Sequence, residues 1–96
     1  MLLVTTGAWS GELLRACGLM LPIAPVRGQI LALQTPPGLI RHVVLAEDHY
    51  LVPRRDGLLL AGSTVEHVGF DKTLSSAGAN ALRAAAARLI PALADA

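Results

Sequence analysis

The chain has 96 residues, of which 53% are hydrophobic, 3% aromatic and 16% charged, with a formal net charge of +1. That length holds one domain at most, with little room for two sites, and the composition is too apolar for a disordered segment. The arginines at 15, 27, 41, 54, 55, 83 and 88 are scattered and form no basic stripe, which removes nucleic acid from the partners.

The opening "MLLVTTGAWS" is apolar but lacks the positive region of a signal peptide, and no apolar run reaches the length of a bilayer span. No membrane partner is expected. "LLVTT" at 2–6 has the composition of a short buried strand, stopped by Gly7. Ser10 is placed to cap a following helix, with Glu12 at its positive end and Leu13, Leu14 and Cys17 on an apolar side, and Gly18 ends it in a left-handed conformation. A lone cysteine excludes an intramolecular disulfide framework and a thiolate zinc site, and it fits a reducing, cytoplasmic compartment. On that helix side Cys17 reads as a small buried hydrophobe.

Two prolines in "MLPIAP" bar a helix, and residues 25–34 read as one long strand in which Gly28 is approached closely by another group. After the "TPPG" turn, "HVVLAE" and "HYLVPR" are strands separated by a bend near Asp48, and Asp56-Gly57 turns the chain back into "LLLAGST". "VEHVGFDKTL" has no clear period. Ser75 or Ser76 caps a last helix whose Leu82, Ala85, Ala86, Leu89 and Leu93 recur every three or four residues, leaving Arg83 and Arg88 to solvent until Pro91 intervenes. The sum is an α+β fold, an antiparallel β-sheet with two helices.

The candidate chemistry is sparse. His42, Glu47, Asp48, His49, Glu66 and His67 match no metal-ligand spacing, so no metal site is expected. There is no G-x-S-x-G elbow for a hydrolase. "VTTGAWSGEL" runs through glycine towards a helix but lacks the G-x-G-x-x-G fingerprint of dinucleotide sites, although Gly7 leaves its backbone open to a bound group. Arg54 and Arg55 read as one salt-bridge partner and one solvated residue.

Taken in order, "TTGAWSGELL", "LPIAPVRGQILAL", "EDHYLVPRRDGLLLAGSTVEHVGFD" and "AAARLIPAL" resemble FAD-dependent amine oxidases of the D-amino acid oxidase family, with the glycine oxidases of thiamine biosynthesis as the nearest group. The words "GAWS", "P-x-RGQ" and "Y-x-VPR-x-DG" are jointly specific. The resemblance implies that residues 1–20 are a strand-turn-helix remnant of an FAD-binding domain, with Gly7, Ala8 and Trp9 at the cofactor, and that residues 21–96 are the substrate domain. It implies a role for the Tyr50 hydroxyl in holding the substrate carboxylate, a pocket-rim position for Asp48 and a cavity-lining one for Val65, while Arg54 matches a structural strand arginine.

The implied reaction passes the α-hydrogen of a small amino acid as hydride to flavin, after which the imine hydrolyses to an oxo acid and ammonia and oxygen is reduced to peroxide. The cofactor carries the chemistry, so no acid-base pair is needed and none is assigned. The family's phosphate-cradling G-x-G-x-x-G unit would precede Met1 and its carboxylate-pairing arginine would follow Ala96. The chain is therefore expected to be a fragment that binds no FAD and is inactive by itself. Its apolar excess fits a surface covered by another domain, a cofactor or a second copy, and a homo-oligomer is expected.

Overall fold

A computed structural model describes all of residues 1–96. The chain divides into two units, Met1–Arg27 with Glu66–Lys72, and Gly28–Val65 with Thr73–Ala96.

The larger unit is an antiparallel sheet backed by a helix. Its strands are β1 (Ile30–Gln34), β2 (Val44–Ala46), β3 (His49–Pro53) and β4 (Leu58–Gly62), in the spatial order β1-β4-β3-β2. Two hairpins set that order. Glu47 and Asp48 make a two-residue turn between β2 and β3, with Ala46 opposite His49. Between β3 and β4, Gly57 takes φ +86, which a side chain disfavours, while its N–H donates to the Arg54 carbonyl and the Arg54 N–H to the Leu58 carbonyl. β4 then lies between β3 and β1, so its backbone is paired on both sides.

The helix α2 (Ser76–Leu89) lies on one face of this sheet. Its alanine-rich interior favours the helical state, the Ser75 hydroxyl caps it by accepting from the Gly78 N–H, and Arg88 suits the negative end of the dipole. Leu82, Ala85 and Ala86 are buried along one side. Leu33, Leu51, Leu59 and Ala61 from the sheet join Ala86 and Leu93 in the core, and each fully buried leucine contributes about 1.5–3 kcal/mol relative to exposure. Leu93 reaches the core because Pro91 ends the helix and starts a short 3-10 turn, Pro91–Leu93.

The smaller unit carries a 3-10 turn, Gly7–Trp9, running into α1 (Ser10–Ala16). Gly18 follows at φ +80, as its position after the helix requires. Arg27 and Glu66 form an isolated antiparallel bridge through their backbones.

Several local expectations are corrected. Residues 2–6 are not a strand: no neighbouring strand supplies hydrogen bonds, and Leu2 and Leu3 lie exposed. Ser10 is the first residue of α1 rather than its cap, and its hydroxyl pairs with that of Thr6 at 2.9 Å. Cys17 is exposed. The strand expected over 25–34 pairs regularly only from Ile30; ahead of it Arg27 makes just an isolated bridge to Glu66. Arg83 is half-buried, donating to the Ala96 carbonyl. No helix is long and apolar enough to cross a membrane.

Candidate functional site

Side chains alternate across a strand, so the residues between the core positions face away from α2. The register aligns Leu45, Tyr50, Gly62 and Ile30 in one row across all four strands, and Val52, Leu60 and Ala32 in the next. This open face is apolar almost throughout. Leu45 is 78% and Ile30 54% exposed, which is unusual for large aliphatics on a regular sheet and leaves an apolar face uncovered.

Tyr50 carries the only phenol of the chain and stands in the middle of that row. It is half-buried, and its hydroxyl has no hydrogen-bond partner within the chain. Asp48 is exposed in the adjoining turn, and together with Leu45, Ala46, Glu47, His49 and Tyr50 it lines a groove of about 300 Å3. Asp48 and Tyr50 are thus brought together. Val65, 71% exposed, lies three residues beyond the end of β4.

The end of the sheet is held by a side chain that the residue patterns did not single out. Gln29 is only 6% exposed. Its Nε2 donates to the Ser75 Oγ at 2.9 Å, and its Oε1 accepts from the Ser75 N–H at 3.0 Å. Its own N–H donates to the Thr64 Oγ1 at 2.8 Å, and its carbonyl accepts from the Thr64 N–H. Gln29 therefore ties the start of β1 to the cap of α2 through its side-chain amide and to the segment after β4 through its backbone. The adjacent Gly28 is closely approached, since a Cβ there would lie 3.2 Å from the Thr64 carbonyl oxygen.

Gly7, Ala8 and Trp9 belong to the smaller unit. Gly7 has φ +58, and the space its side chain would take is open. Trp9 is 49% exposed and stacks on Phe70 with ring centroids 5.5 Å apart, while the Lys72 ammonium lies 5.4 Å from its ring centre. A small pocket of about 150 Å3 beside this stack is lined by Ala8, Trp9, Val26 and Phe70 among others. Phe70 and Lys72 were not anticipated, for "VGFDK" has no period that pairs it with residue 9. In the same unit Arg27 reaches Glu66 with Nε at 3.1 Å and Nη2 at 3.2 Å. That hydrogen bond raises the pKa of the guanidinium further, against the opposing effect of its burial. The histidines and acids weighed as metal ligands do not assemble, and no three of His, Cys, Asp and Glu are grouped to hold an ion.

Comparisons with known proteins agree in kind. Residues 2–96 match the family described as DAO, FAD dependent oxidoreductase. The chain is 50% identical over 93 residues to the glycine oxidase of Pseudomonas aeruginosa, covering 97% of this chain and 26% of that protein. It is 46% identical over 90 residues to the glycine oxidase of Pseudomonas putida, covering 94% and 25%. It is 39% identical over 97 residues to the bifunctional protein ThiO/ThiG of Synechocystis, covering 96% and 14%. The chain thus spans about a quarter of the length of the two glycine oxidases. No solved structure matches it. A family match running from residue 2 to residue 96, on a sheet whose open face presents one tyrosine among apolar residues, places this chain in the FAD-dependent oxidoreductase family.

Proposed function

We propose that this chain forms the substrate-side wall of an FAD-dependent oxidase acting on glycine or another small amino acid, with the Tyr50 hydroxyl binding the substrate carboxylate. The observation that carries the reading is a phenol with no partner in the chain, set in the middle of an exposed apolar sheet face. A hydroxyl so placed can donate to a carboxylate, and Ile30, Leu45, Val52 and Leu60 around it give an apolar setting in which that bond is stronger once the face is covered. Asp48 forms the rim and Val65 lines the substrate cavity.

The open sheet face of the larger unit is apolar, as contact with a flavin ring requires; in the smaller unit, taken by itself, the space at Gly7 is open to a bound group. When bound, FAD supplies an acceptor for the hydride leaving the substrate α-carbon, so that the amino acid is oxidised to the imine and oxygen is finally reduced to peroxide. The chain's own residues bind the substrate, orient it and keep water away. Its setting in this reading is a cytoplasmic enzyme serving thiamine biosynthesis, with residues 21–96 as substrate domain and 1–20 on the cofactor side.

The test is a chimaera in which this chain replaces the matching segment of the Pseudomonas aeruginosa glycine oxidase. The chimaera is expected to produce peroxide from glycine. Tyr50→Phe is expected to raise KM about tenfold or more with a smaller change in kcat, since a hydrogen bond to a charged group contributes about 1.5–3 kcal/mol. An unchanged KM would remove Tyr50 from the substrate site.

A second reading, of a catalytically silent domain that self-associates, is favoured by the same exposed aliphatics in the chain on its own.

A further inference from the structure

We infer that Gly62 is a positioning residue for Tyr50: the missing side chain at 62 lets the phenol lie across β4 and fixes where its hydroxyl stands. This inference rests on the reading that Tyr50 binds the substrate carboxylate. Tyr50 and Gly62 are direct partners across β3 and β4. A Cβ built on Gly62 would lie 2.6 Å from the Tyr50 Cε2 and nearer still to Cζ and Oη. The atoms it would strike are the far end of the ring, so the hydroxyl itself is over Gly62 and not standing off the sheet. Real Cβ atoms do not come this close to ring carbons, and any residue but glycine must lift or turn the phenol.

The neighbours make that displacement specific. Gly62 is buried and lies between Tyr50 on β3 and Ile30 on β1, in the central strand of the three. A side chain there would push the ring away from β1, towards Leu45 on β2 or off the face altogether. The core on the opposite face, built on Leu51, Leu59 and Ala61, would be left as it is. Gly62 therefore sets the position of a hydroxyl that binds substrate without touching the substrate itself.

Two measurements test this. Tyr50 is the only tyrosine, so a tyrosine-labelled sample of the 96-residue chain gives one set of ring signals. In the unaltered chain these are expected to show cross-peaks to the Gly62 α-protons, and in Gly62→Ala the ring signals are expected to shift and those cross-peaks to weaken. In the glycine oxidase chimaera, Gly62→Ala is expected to raise KM for glycine about tenfold while changing kcat less, as loss of a ground-state contact does. Added to Tyr50→Phe, it is expected to raise KM no further, because both act through one hydroxyl.

If Tyr50→Phe leaves KM unchanged, the carboxylate reading fails and the inference with it. If Tyr50→Phe raises KM but Gly62→Ala does not, or the two effects multiply, Gly62 is not the positioning residue and the carboxylate reading stands. Should Gly62→Ala fail to fold, Tyr50→Leu combined with Gly62→Ala removes the ring and is expected to restore the backbone amide spectrum of the folded chain; a double variant that stays unfolded would also overturn the inference.

Discussion

Gln29 shows how much one buried polar side chain can organise. Both ends of its amide are paired with Ser75, whose hydroxyl in turn caps α2 through the Gly78 N–H at 3.1 Å. The arrangement requires a glycine at 78, where a Cβ would meet the Ser75 Oγ at 2.9 Å and the Gln29 amide carbon at 3.1 Å. Replacing Gln29 by alanine strands the Ser75 N–H and frees the cap, at a cost of about 1–3 kcal/mol. Urea unfolding of the chain is expected to show that loss as a lower midpoint with an unchanged slope. A midpoint equal to that of the unaltered chain would mean that water replaces the amide without loss.

At the scale of elements, the hairpin from β3 to β4 carries the titratable contribution that the structure makes most explicit. Arg54 Nη2 stands 2.9 Å from the Asp56 Oδ2, and the Leu58 N–H donates to the Asp56 Oδ1 at 3.2 Å. The hydrogen bond from Arg54, then the one from Leu58, hold the Asp56 carboxyl below its usual value of 3.8. A folded-state value below the unfolded one means that the stabilisation is fully present above the unfolded value and is lost as the pH falls through the folded one. The melting-temperature difference between the unaltered chain and Asp56→Asn is therefore expected to be constant at neutral pH and to shrink below pH 3.8. Because the pair is solvent-exposed the difference is small, and salt reduces it. A difference that persists unchanged at the lowest pH would show that the turn does not depend on the charge of Asp56. The arginine pair "RR" was legible as one bonded and one solvated residue, since Asp56 two positions on lies within reach of only one of them.

At the scale of the whole chain, the open sheet face and the exposed Leu19, Met20 and Leu21 leave many large apolar side chains bare, the kind of surface that recruits a partner. We expect the 96-residue chain to sediment as a dimer or larger species, and Ile30→Lys with Leu45→Lys to shift it towards the 10.0 kDa monomer. The same sample, incubated with FAD and desalted, is expected to be colourless because the sequence holds no G-x-G-x-x-G cradle. A monomer at high concentration would remove the self-associating reading, and retained flavin bands would show that the residues present hold the cofactor unaided.

The sequence by itself determined the elements whose signals are local: α2 from its alanines and a serine cap at 75 or 76, which the fold assigns to Ser75, the β3–β4 turn from Asp56-Gly57, and the end of α1 from Gly18. It also carried the family, through words spread along nearly the whole chain. Where a result depended on a distant partner, residue patterns could not supply it. "LLVTT" has strand composition, yet a strand exists only where another offers its hydrogen bonds, and none lies beside residues 2–6. Tyr50 could be marked as unusual, but the register alone put Gly62 beneath its ring, and folding alone brought Gln29 to Ser75 across 46 positions. Capping, turn and helix preferences act within a few residues and are written in the order of the chain; pairing and close packing act between residues far apart in it, and only the folded sheet decides them.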